Sequence, residues 1–543
     1  MVQNGRRTRR LLPIQEILRK LNLNEEYAEL CSSYGAKLRL EVLTDPGFGE
    51  RGHLILVTAT TPTKAGEGKT VVAIGLAQAL ELLGKRAIVT CRQPSLGPIF
   101  GAKGGGTGGG LSQVEPSEKV NFHFHGDFHA IASAHNLLAA ILDAHLFHGN
   151  TLELDLEQIA WPRTVDMNDR ALRQITIGLG GQADGPSRHS GFVITAASEV
   201  MAIMALAESL EDLRRRIGNI VVGMNRSGKP VRACDLHAVG AMMALLRDAV
   251  LPNLVQTTEG TPALVHTGPF GNIAHGTSSV ISQKMGLRLA DYVVNEVGFG
   301  SDLGAEKYFN VVMRSSGLTP SLAVLVVSAR SLKRQGSGEL ESGFANFIGH
   351  IQLLRKFGVP IVVAINRFPE DSDAELRRIE EYCASCELPS ALVEAFSKGG
   401  RGAVDLAEKV VESITANSAI DVRSLYPLEL LLEEKVETVA REVYGAADVS
   451  FTELAREKLQ RFTELGFGKL PICVAKTQYS LTDDPTRPGA PGGWTLRVND
   501  ASLSAGAGFV VVVAGSITLM PGLPKAARAF SIDVDSSGNI VGV

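Results

Sequence analysis

The clearest chemical signal in the sequence is a strand, a loop and a helix between residues 54 and 84. The run LILVTATTPTKAGEGKT leads directly into VVAIGLAQALELLG. Gly66 and Gly68 allow backbone amides to turn towards phosphate oxygens, and Lys69 adds an ammonium at the positive end of the helix dipole. Thr70 is expected to ligate the magnesium that accompanies a nucleotide. The segment predicts a P-loop, although Thr63 replaces the first glycine of the strict pattern.

A second loop, CRQPSLGPIFGAKGGGTGGGLSQV, carries six glycines between residues 104 and 110. A backbone without side chains can approach a ligand closely. Arg92 and Lys103 lie in the same segment, and a guanidinium pairs bidentately with carboxylate or phosphate. The loop therefore predicts an anion site, with a flexible linker as the alternative.

Two later segments, IVVAINRFPED and ALVEAFSKGG, follow apolar runs in the order expected of nucleoside-recognition loops. Ligands in open parallel sheets lie at the carboxyl ends of strands. The predicted nucleotide-binding residues are Gly66, Glu67, Gly68, Lys69, Thr70, Asn366, Lys398 and Gly399.

Short β-branched runs that alternate with longer helical patterns position these loops. The chain has 543 residues. Its pattern predicts an α/β fold with a P-loop NTPase-like, mostly parallel sheet, helices on both faces and additional α/β domains. The clearest predicted strands are Leu54–Ala59, Arg86–Thr90, Asp291–Asn295, Leu322–Ser328, Pro360–Ile365 and Ser390–Glu394.

Changes in composition divide the chain into three parts. Residues 1–120 and 285–405 are expected to form a discontinuous nucleotide-binding domain. Residues 121–284 form a helix-rich insertion in this interpretation, and residues 406–543 form a C-terminal α/β domain.

Bulk properties restrict the partners and the compartment. The chain carries 54 basic and 58 acidic side chains, so no global charge favours nucleic acid or an anionic membrane. Its apolar runs are shorter than the roughly 20 residues that span a bilayer. Six scattered cysteines fit a reducing compartment, the cytoplasm. The arginines at positions 6, 7, 9 and 10 are expected to form a frayed tail.

Two other features have ordinary explanations. His125 and His129, in the histidine-rich run FHFHGDFHAIASAH, could share a helix face as metal ligands, but a metal site is the less favoured interpretation of this run. Cys383 and Cys386 form a CxxC without a second pair, which favours ordinary packing over zinc or redox chemistry.

An ordered set of segments resembles the formate–tetrahydrofolate ligases, also called formyltetrahydrofolate synthetases. The resemblance runs from PIQEIL near residue 13 to the last strands. It implies that ATP, formate and tetrahydrofolate give 10-formyltetrahydrofolate, ADP and phosphate through formyl phosphate, in a homotetramer. The most specific segments are PSLGP (94–98), GDFHAI (126–131), VDMNDRALR (165–173), ASEVMAI (197–203), NLVQTTEGTPA (253–263), AKTQYS (475–480) and MPGLPK (520–525).

The resemblance also assigns roles to individual residues. It implies that Lys69, Arg92 and Thr195 act in catalysis and that Asp127 and His129 line the substrate cleft. It places Phe368 on one face of the pterin and Phe396 on the other. The implied cofactors and co-substrates are ATP with magnesium, tetrahydrofolate and a monovalent cation.

Several positions depart from the family pattern. Gln93 replaces a glutamate linked to the monovalent cation, Phe396 replaces a tryptophan, Val71 replaces a threonine, and Lys64 replaces a proline or similar residue. The segment VVSARSLKRQGSG is also altered and the stretch after it shortened, although Lys333 is present. Two alternatives stay open: a divergent acyl-phosphate ligase with another amine acceptor or small carboxylate, and a non-catalytic nucleotide switch.

Overall fold

The computed structural model describes residues 11–49, 52–417 and 420–543. The basic tail expected at residues 6–10 lies outside these ranges.

The first part of the chain builds the P-loop unit. Strand β3 leads into helix α2, which begins at Lys69 and is buried along most of its length. The elements here are α1 (Ile14–Lys20), β1 (Ala28–Ser32), β2 (Gly35–Leu38), β3 (His53–Ala59), α2 (Lys69–Leu82), β4 (Ala87–Cys91), α3 (Leu96–Phe100), β5 (Gly108–Gly109), β6 (Ser112–Glu115), α4 (Ser117–Asn121) and α5 (Asp127–Phe147).

The middle of the chain mixes helices with short strands. Outside β14 and β15, its strands form small two- and three-stranded sheets. The elements are β7 (Leu154–Ile159), β8 (Arg163–Val165), β9 (Ile175–Ile177), β10 (Arg188–Ser190), β11 (Phe192–Ile194), α6 (Glu199–Leu206), α7 (Leu210–Gly218), β12 (Val221–Asn225), β13 (Pro230–Arg232), α8 (Val239–Leu246), β14 (Asn253–Thr257), β15 (Pro262–Val265) and α9 (Val280–Leu289).

The chain then returns to strands that alternate with helices. Two π-helical stretches, Ser301–Ala305 and Tyr308–Val312, follow the first strand of this part. The elements are β16 (Tyr292–Glu296), α10 (Met313–Ser316), β17 (Leu322–Val327), α11 (Ala329–Gln335), α12 (Leu340–Lys356), β18 (Ile361–Asn366), α13 (Asp373–Ser385), β19 (Ser390–Val393), α14 (Ala395–Lys398) and α15 (Val404–Ala416).

The C-terminal part carries its own four-stranded sheet, in the order β20-β22-β23-β21, and a final small hairpin. Its elements are α16 (Leu432–Glu442), β20 (Asp448–Phe451), α17 (Glu453–Phe462), β21 (Ile472–Ala475), β22 (Thr495–Ser504), β23 (Phe509–Ala514), β24 (Asp533–Val534) and β25 (Ile540–Val541). The buried ion pair between Lys476 and Asp302, 2.8 Å long, joins this part to the π-helical stretch after β16.

The main sheet confirms the predicted fold class. Its strands follow the order β1-β2-β14-β15-β4-β16-β3-β17-β18-β19, and those from β15 to β19 are parallel. The six strands predicted from sequence are six consecutive members of this sheet, β4-β16-β3-β17-β18-β19. The P-loop strand β3 therefore lies between two parallel neighbours, so their carboxyl ends surround the predicted site.

Strand β3 shows why both faces of the sheet are covered. Leu54 and Leu56 pack into one hydrophobic core, and Ile55 and Val57 pack into a second core that contains α2 and α15. Successive side chains of a strand point to opposite faces. A parallel strand buried on both faces therefore reads as a continuous apolar run.

Strands β14 and β15 fall within residues 121–284, the range expected for a helix-rich insertion. β15 pairs with β4 in parallel, and β14 pairs with β15 and β2, so both belong to the main sheet. The domain boundaries stay a proposal, and sheet pairing favours ending the insertion before residue 253.

Helix α5 has the length and composition of a membrane span. It has 21 residues, and its most apolar 18-residue stretch has a mean hydropathy of 1.3. Ile131, Leu138 and Leu142 on this helix are fully buried, and the helix packs against α8. These three residues belong to the larger hydrophobic core of the protein.

Candidate functional site

The P-loop turns through two glycines in the left-handed region. Gly66 has φ +81° and Gly68 has φ +75°. A Cβ on Gly68 would lie 2.3 Å from Nδ2 of Asn366, so a side chain there is excluded by space as well as by backbone conformation. Lys69 follows as the first residue of α2. The local geometry is that of the predicted phosphate-binding turn.

Glu67 and Asn366 brace this turn from inside. The Glu67 carboxylate is buried; it accepts a hydrogen bond of 2.7 Å from the Thr63 amide and another from the Ser328 hydroxyl. The Asn366 amide donates to the Glu67 carbonyl oxygen at 3.0 Å. Both side chains therefore hold the shape of the loop, and a direct contact of Asn366 with a nucleoside stays a prediction.

Three cationic side chains gather at the end of the P-loop. Desolvation lowers the pKa of Lys69; the Glu296 carboxylate raises it in part, and Arg92 lowers it further. Desolvation and the two nearby cations lower the pKa of Lys103 to about 8. Lys69 and Lys103 therefore both feel the positive charge of a neighbouring cation. A multiply charged anion bound among them would relieve that repulsion.

Arg92 is held in place by the segments after β15 and β16. Its Nη1 donates to the Pro269 carbonyl oxygen at 3.0 Å, and its Nη2 lies 3.9 Å from Oε1 of Glu296. A Cβ on Gly298 would lie 3.0 Å from Nη1 of Arg92. The segments after β15 and β16 therefore hold the Arg92 guanidinium on one side.

Two residues near Arg92 have unusual backbone conformations. Thr267 (φ 53°) and Phe299 (φ 60°) occupy the left-handed region although neither is glycine. Thr267 accepts a hydrogen bond of 2.6 Å from the Gln93 amide, and the Phe299 ring lies 4.6 Å from the Lys103 ammonium. Strained backbone of this kind persists where the surrounding structure fixes a functional geometry.

Phe368 lies against the P-loop and is covered by Arg330. The guanidinium lies 3.5 Å from the ring centroid and also donates to the Gly66 carbonyl oxygen. Its Nε is 3.6 Å from Oε2 of Glu67. One face of the Phe368 ring is therefore occupied by a cation that also contacts the phosphate-binding turn.

Phe396 lies beside the glycine-rich loop and is 59% exposed. Its carbonyl oxygen accepts from the Leu111 amide at 2.8 Å, and a Cβ on Gly109 would lie 3.0 Å from its ring. Lys398 is exposed and bonded to Glu394. This part of the cleft is open to solvent.

Gly399 packs closely against the segment that follows β14. It has φ +62°, and a Cβ there would lie 2.3 Å from Oε1 of Glu259. The nucleoside contacts predicted for Lys398 and Gly399 stay predictions.

Comparison with known proteins decides the family. The model of the family described as "Formate--tetrahydrofolate ligase" matches residues 4–543. The chain belongs to the formate–tetrahydrofolate ligase family. It is 50% identical over 544 residues to a formate–tetrahydrofolate ligase of Thermotoga petrophila, covering 98% of this chain and 99% of that protein. It is also 50% identical over 542 residues to the Thermotoga maritima enzyme of the same name, with the same coverage.

The structure gives clear surroundings to three further residues that the family resemblance singles out. Thr195 has no exposed surface, and its hydroxyl accepts from Thr164 at 3.2 Å. The Asp127 carboxylate is buried, with Lys37 at 2.7 Å and Asn253 at 2.6 Å.

Asp127 also lies far from the P-loop across the sheet. Asn253 is on β14, and four strand spacings separate β14 from β3, about 19 Å. His129 is exposed on α5. The substrate roles of Asp127 and His129 and the catalytic role of Thr195 stay predictions, and Asp127 is engaged in a structural ion pair.

Glu296 is a site residue that sequence reasoning missed. It ends β16, directly beside β3, and lies close enough to Lys69 and Arg92 to influence the pKa of both. The sequence feature that could have indicated Glu296 is its position as the acidic residue at the end of the apolar run YVVNE. Arg330 was missed as well, because its contact with Phe368 joins segments that nothing in the sequence links.

The histidine and cysteine patterns do not form a metal centre in the part of the chain that the structure describes. Within it, no group of three or more histidine, cysteine or acidic side chains could hold a metal ion. His125 bonds to Asn253 at 2.7 Å. Cys383 is buried, and burial raises the pKa of its thiol to about 12.

Proposed function

We propose that this chain joins formate to tetrahydrofolate at the expense of ATP, with formyl phosphate as the intermediate. The observation that carries the proposal is the cluster of Lys69, Arg92 and Lys103 beside a P-loop, in a chain of this family. Formate alone resists attack by an amine because its carbonyl is deactivated by negative charge and its oxygen leaves poorly. Phosphorylation removes both obstacles.

In the first step, a formate oxygen attacks the γ-phosphorus of ATP. The new P–O bond forms as the bond to the bridging oxygen of ADP breaks, and the electron pair leaves with ADP. Phosphoryl transfer depends mainly on positioning and on stabilising charge on the phosphoryl oxygens. Lys69 at the turn supplies one charge, and Arg92, fixed by Pro269 and Gly298, supplies a planar fork that fits an acyl phosphate.

In the second step, the amine nitrogen of the folate attacks the formyl carbon. The C–O bond to phosphate breaks, phosphate departs with the electron pair, and the nitrogen loses its proton. The product is the 10-formyl derivative. Lys103 and Arg92 would stabilise the departing phosphate as they stabilised the transferring phosphoryl group.

The residues at the turn fit a magnesium ion bound with ATP. Mg²⁺ commonly takes one or two protein oxygens together with phosphate oxygens and water. We place the Thr70 hydroxyl and the Glu296 carboxylate in that role. Thr70 is the second residue of α2, and Glu296 ends the neighbouring strand. The ion would neutralise charge between the β- and γ-phosphates.

The acceptor side is proposed from Phe368 and Phe396. Phe368 contacts the P-loop side of the cleft, and Phe396 is solvent-exposed beside the glycine-rich loop. An aromatic face on each side of a pterin would contribute dispersion and offset stacking. Because Arg330 covers one face of Phe368, the pterin would use the opposite face.

A second candidate, a ligase of this chemistry with a different amine acceptor, is favoured by one observation. Phe396 is 59% exposed and stands where a tryptophan is expected. Its smaller ring therefore offers an acceptor less stacking area. A smaller or differently shaped amine would lose less from this change than a pterin.

Three further properties belong to the same proposal. We propose a homotetrameric state on the basis of the family resemblance, and a cytoplasmic location, which the scattered free cysteines support. A monovalent cation is the third property; for it, Gln93 offers a neutral side-chain oxygen, buried without a hydrogen-bond partner, where the family has a glutamate.

The deciding experiment incubates the protein with Mg-ATP, formate and tetrahydrofolate and measures the acid-shifted absorbance of the formylated folate alongside ADP. The proposal expects both products in equal amounts, and ADP release that depends on formate. ADP without a formylated folate would favour the divergent acceptor. ADP release that ignores formate would contradict formyl phosphate chemistry.

A further inference from the structure

A cavity of about 650 Å³ lies between the strands that follow α5 and the segment after β23. Thr518, Leu519 and Met520 line one part of it, and residues of β10 and β11 line another. None of these residues belongs to the cluster of Lys69, Arg92 and Lys103. The cavity is therefore separate from the site assigned to ATP.

The charged side chains that line this cavity are all basic. Arg170, Arg173 and Arg188 line it together with His189, and no lining residue is acidic. Arg188 is paired with Asp143 at 2.6 Å. Within the described ranges, Arg170 and Arg173 have no carboxylate within 4.0 Å, so two full positive charges remain uncompensated at the rim.

The two uncompensated arginines use few of their donors. Arg170 donates to the Leu523 carbonyl oxygen at 2.6 Å. Arg173 donates to the Met520 carbonyl oxygen at 2.9 Å and lies 3.5 Å from the Thr518 hydroxyl. Each guanidinium has five N–H donors in a fork that matches carboxylate or phosphate. These hydrogen bonds hold both guanidinium groups in place and leave N–H donors available to a ligand.

A buried hydroxyl adds a second, independent signal. Ser190 lines the cavity, and its buried Oγ has no hydrogen-bond partner. Arg163 pairs with Asp143, the acid that also holds Arg188, and its Nη1 is buried without a partner as well. Buried polar atoms are nearly always bonded. A ligand that accepts from Ser190 would remove that cost.

The rest of the lining is apolar. The cavity is also lined by Trp161, Pro162, Phe192 and Leu519. A small inorganic ion would leave most of this apolar surface without a ligand contact. The lining fits a molecule with an apolar or extended body and more than one anionic group.

Two of the segments that carry the family resemblance meet at this cavity, and neither supplies a side chain that we assign to the ligation chemistry. VDMNDRALR supplies Arg170 and Arg173, and MPGLPK begins at Met520. Strand β11 lines the cavity with Phe192 and Val193 and runs directly into Thr195. A ligand here would contact the element that precedes the predicted catalytic threonine.

We propose that this cavity is a second ligand site, which binds a small organic or oligomeric anion that carries at least two carboxylate or phosphate groups. Arg170 and Arg173 bind the anionic groups, Ser190 donates to one of them, and the apolar lining residues contact the body of the molecule.

The experiment is calorimetric titration of the full chain, with saturating Mg-ADP to fill the P-loop. Triglutamate and tripolyphosphate serve as probes for carboxylate and phosphate chemistry. Arg170→Met with Arg173→Met removes both charges and keeps an unbranched apolar stem in place of each arginine. Arg214→Met with Arg247→Met removes the same charge elsewhere, because Arg214 is exposed on α7 and Arg247 is exposed just after α8.

The expected result is saturable binding of at least one probe, weakened tenfold or more by the first pair of substitutions and less than twofold by the second. The stronger probe identifies the source of the anionic groups. Absence of binding for both probes, or equal binding by both double variants, would overturn the proposal. So would a changed oligomeric state of the first variant in sedimentation, because the cavity would then face a second copy of the chain.

Discussion

The two sides of the proposed cleft are built differently. On the phosphate side, the buried carboxylate of Glu67, the amide of Asn366 and the guanidinium of Arg330 all fix the same short turn. On the acceptor side, Phe396 is solvent-exposed and rests on a loop of glycines. Part of that loop contacts the end of the chain, since a Cβ on Gly105 would lie 3.3 Å from Val543.

The difference reflects the demands of the two steps. Charge that develops during phosphoryl transfer is stabilised only by donors already in position, so the turn has to be rigid before ATP arrives. An acceptor ring is held by dispersion, which tolerates small displacements and changes of ring type. We therefore expect changes on the phosphate side to affect the rate, and changes on the acceptor side to affect affinity.

The largest effect is expected from Lys69→Ala. Removal of this ammonium should lower kcat by roughly 10²–10³-fold, about 3–4 kcal/mol, the cost of deleting one preorganised donor. Steady-state kinetics measure the loss, and circular dichroism checks the fold. Lys85→Ala, an exposed lysine just beyond the end of the same helix, should stay near wild type. Activity of Lys69→Ala within threefold of wild type would contradict the P-loop assignment.

Glu296→Gln tests the magnesium assignment on the same side. Outer-shell partners of a metal are worth about 10–100-fold in affinity, so loss of a ligand charge should cost about 100-fold. The measurement is binding of Mn²⁺ to the ADP complex by electron paramagnetic resonance, which is independent of turnover. ADP binding without metal should change little. Unchanged Mn²⁺ affinity would remove Glu296 from the metal site.

The pH profile tests the cluster as a whole. The pKa of Lys103 is lowered to about 8, chiefly by desolvation and then by Lys69 and Arg92. A lysine is charged below its pKa, so kcat/KM should be high below pH 8 and fall roughly tenfold per pH unit above it. Lys103→Arg should shift the decline to higher pH. A flat profile between pH 7 and 10 would show that this charge is not used.

Arg330 lies at the boundary between the two sides. Arg330→Met should raise the KM for the acceptor by roughly 3–30-fold, since a cation–π contact is worth about 0.5–2 kcal/mol. The KM for ATP should also rise, because the guanidinium contacts Gly66. Arg378→Met removes a similar but longer contact, 6.0 Å from Phe344, and serves as the control. An effect on ATP alone would assign Arg330 wholly to the phosphate side.

The smallest effect is expected on the acceptor side. Phe396→Trp should lower the KM for tetrahydrofolate by up to about tenfold, because an aromatic pair contributes roughly 0.5–1.5 kcal/mol beyond area burial. The KM for ATP should not change. Phe147→Trp, at the exposed end of α5, is the matched control. Without a gain in Phe396→Trp, and with no folate formylation by the wild type, the divergent-acceptor alternative would be the better interpretation.

The sequence by itself determined the local features. All six predicted strands are adjacent in one sheet, and α2 begins at Lys69 directly after Gly68, as the loop chemistry indicated. Runs of apolar residues and left-handed glycines act over a few residues, so they can be interpreted without the fold. The family resemblance added the reaction through segments that are specific in the same local way.

Only the tertiary structure decided which distant side chains meet. It placed Glu296 beside Lys69, set Arg330 on the ring of Phe368, buried Thr195 and engaged Asp127 with Lys37. It also brought β14 and β15 into the main sheet. These contacts join residues far apart in the chain, and they depend on how strands are ordered and how helices cover them. Local periodicity carries no information about that order, because the same pattern of strands and helices is compatible with many sheet topologies.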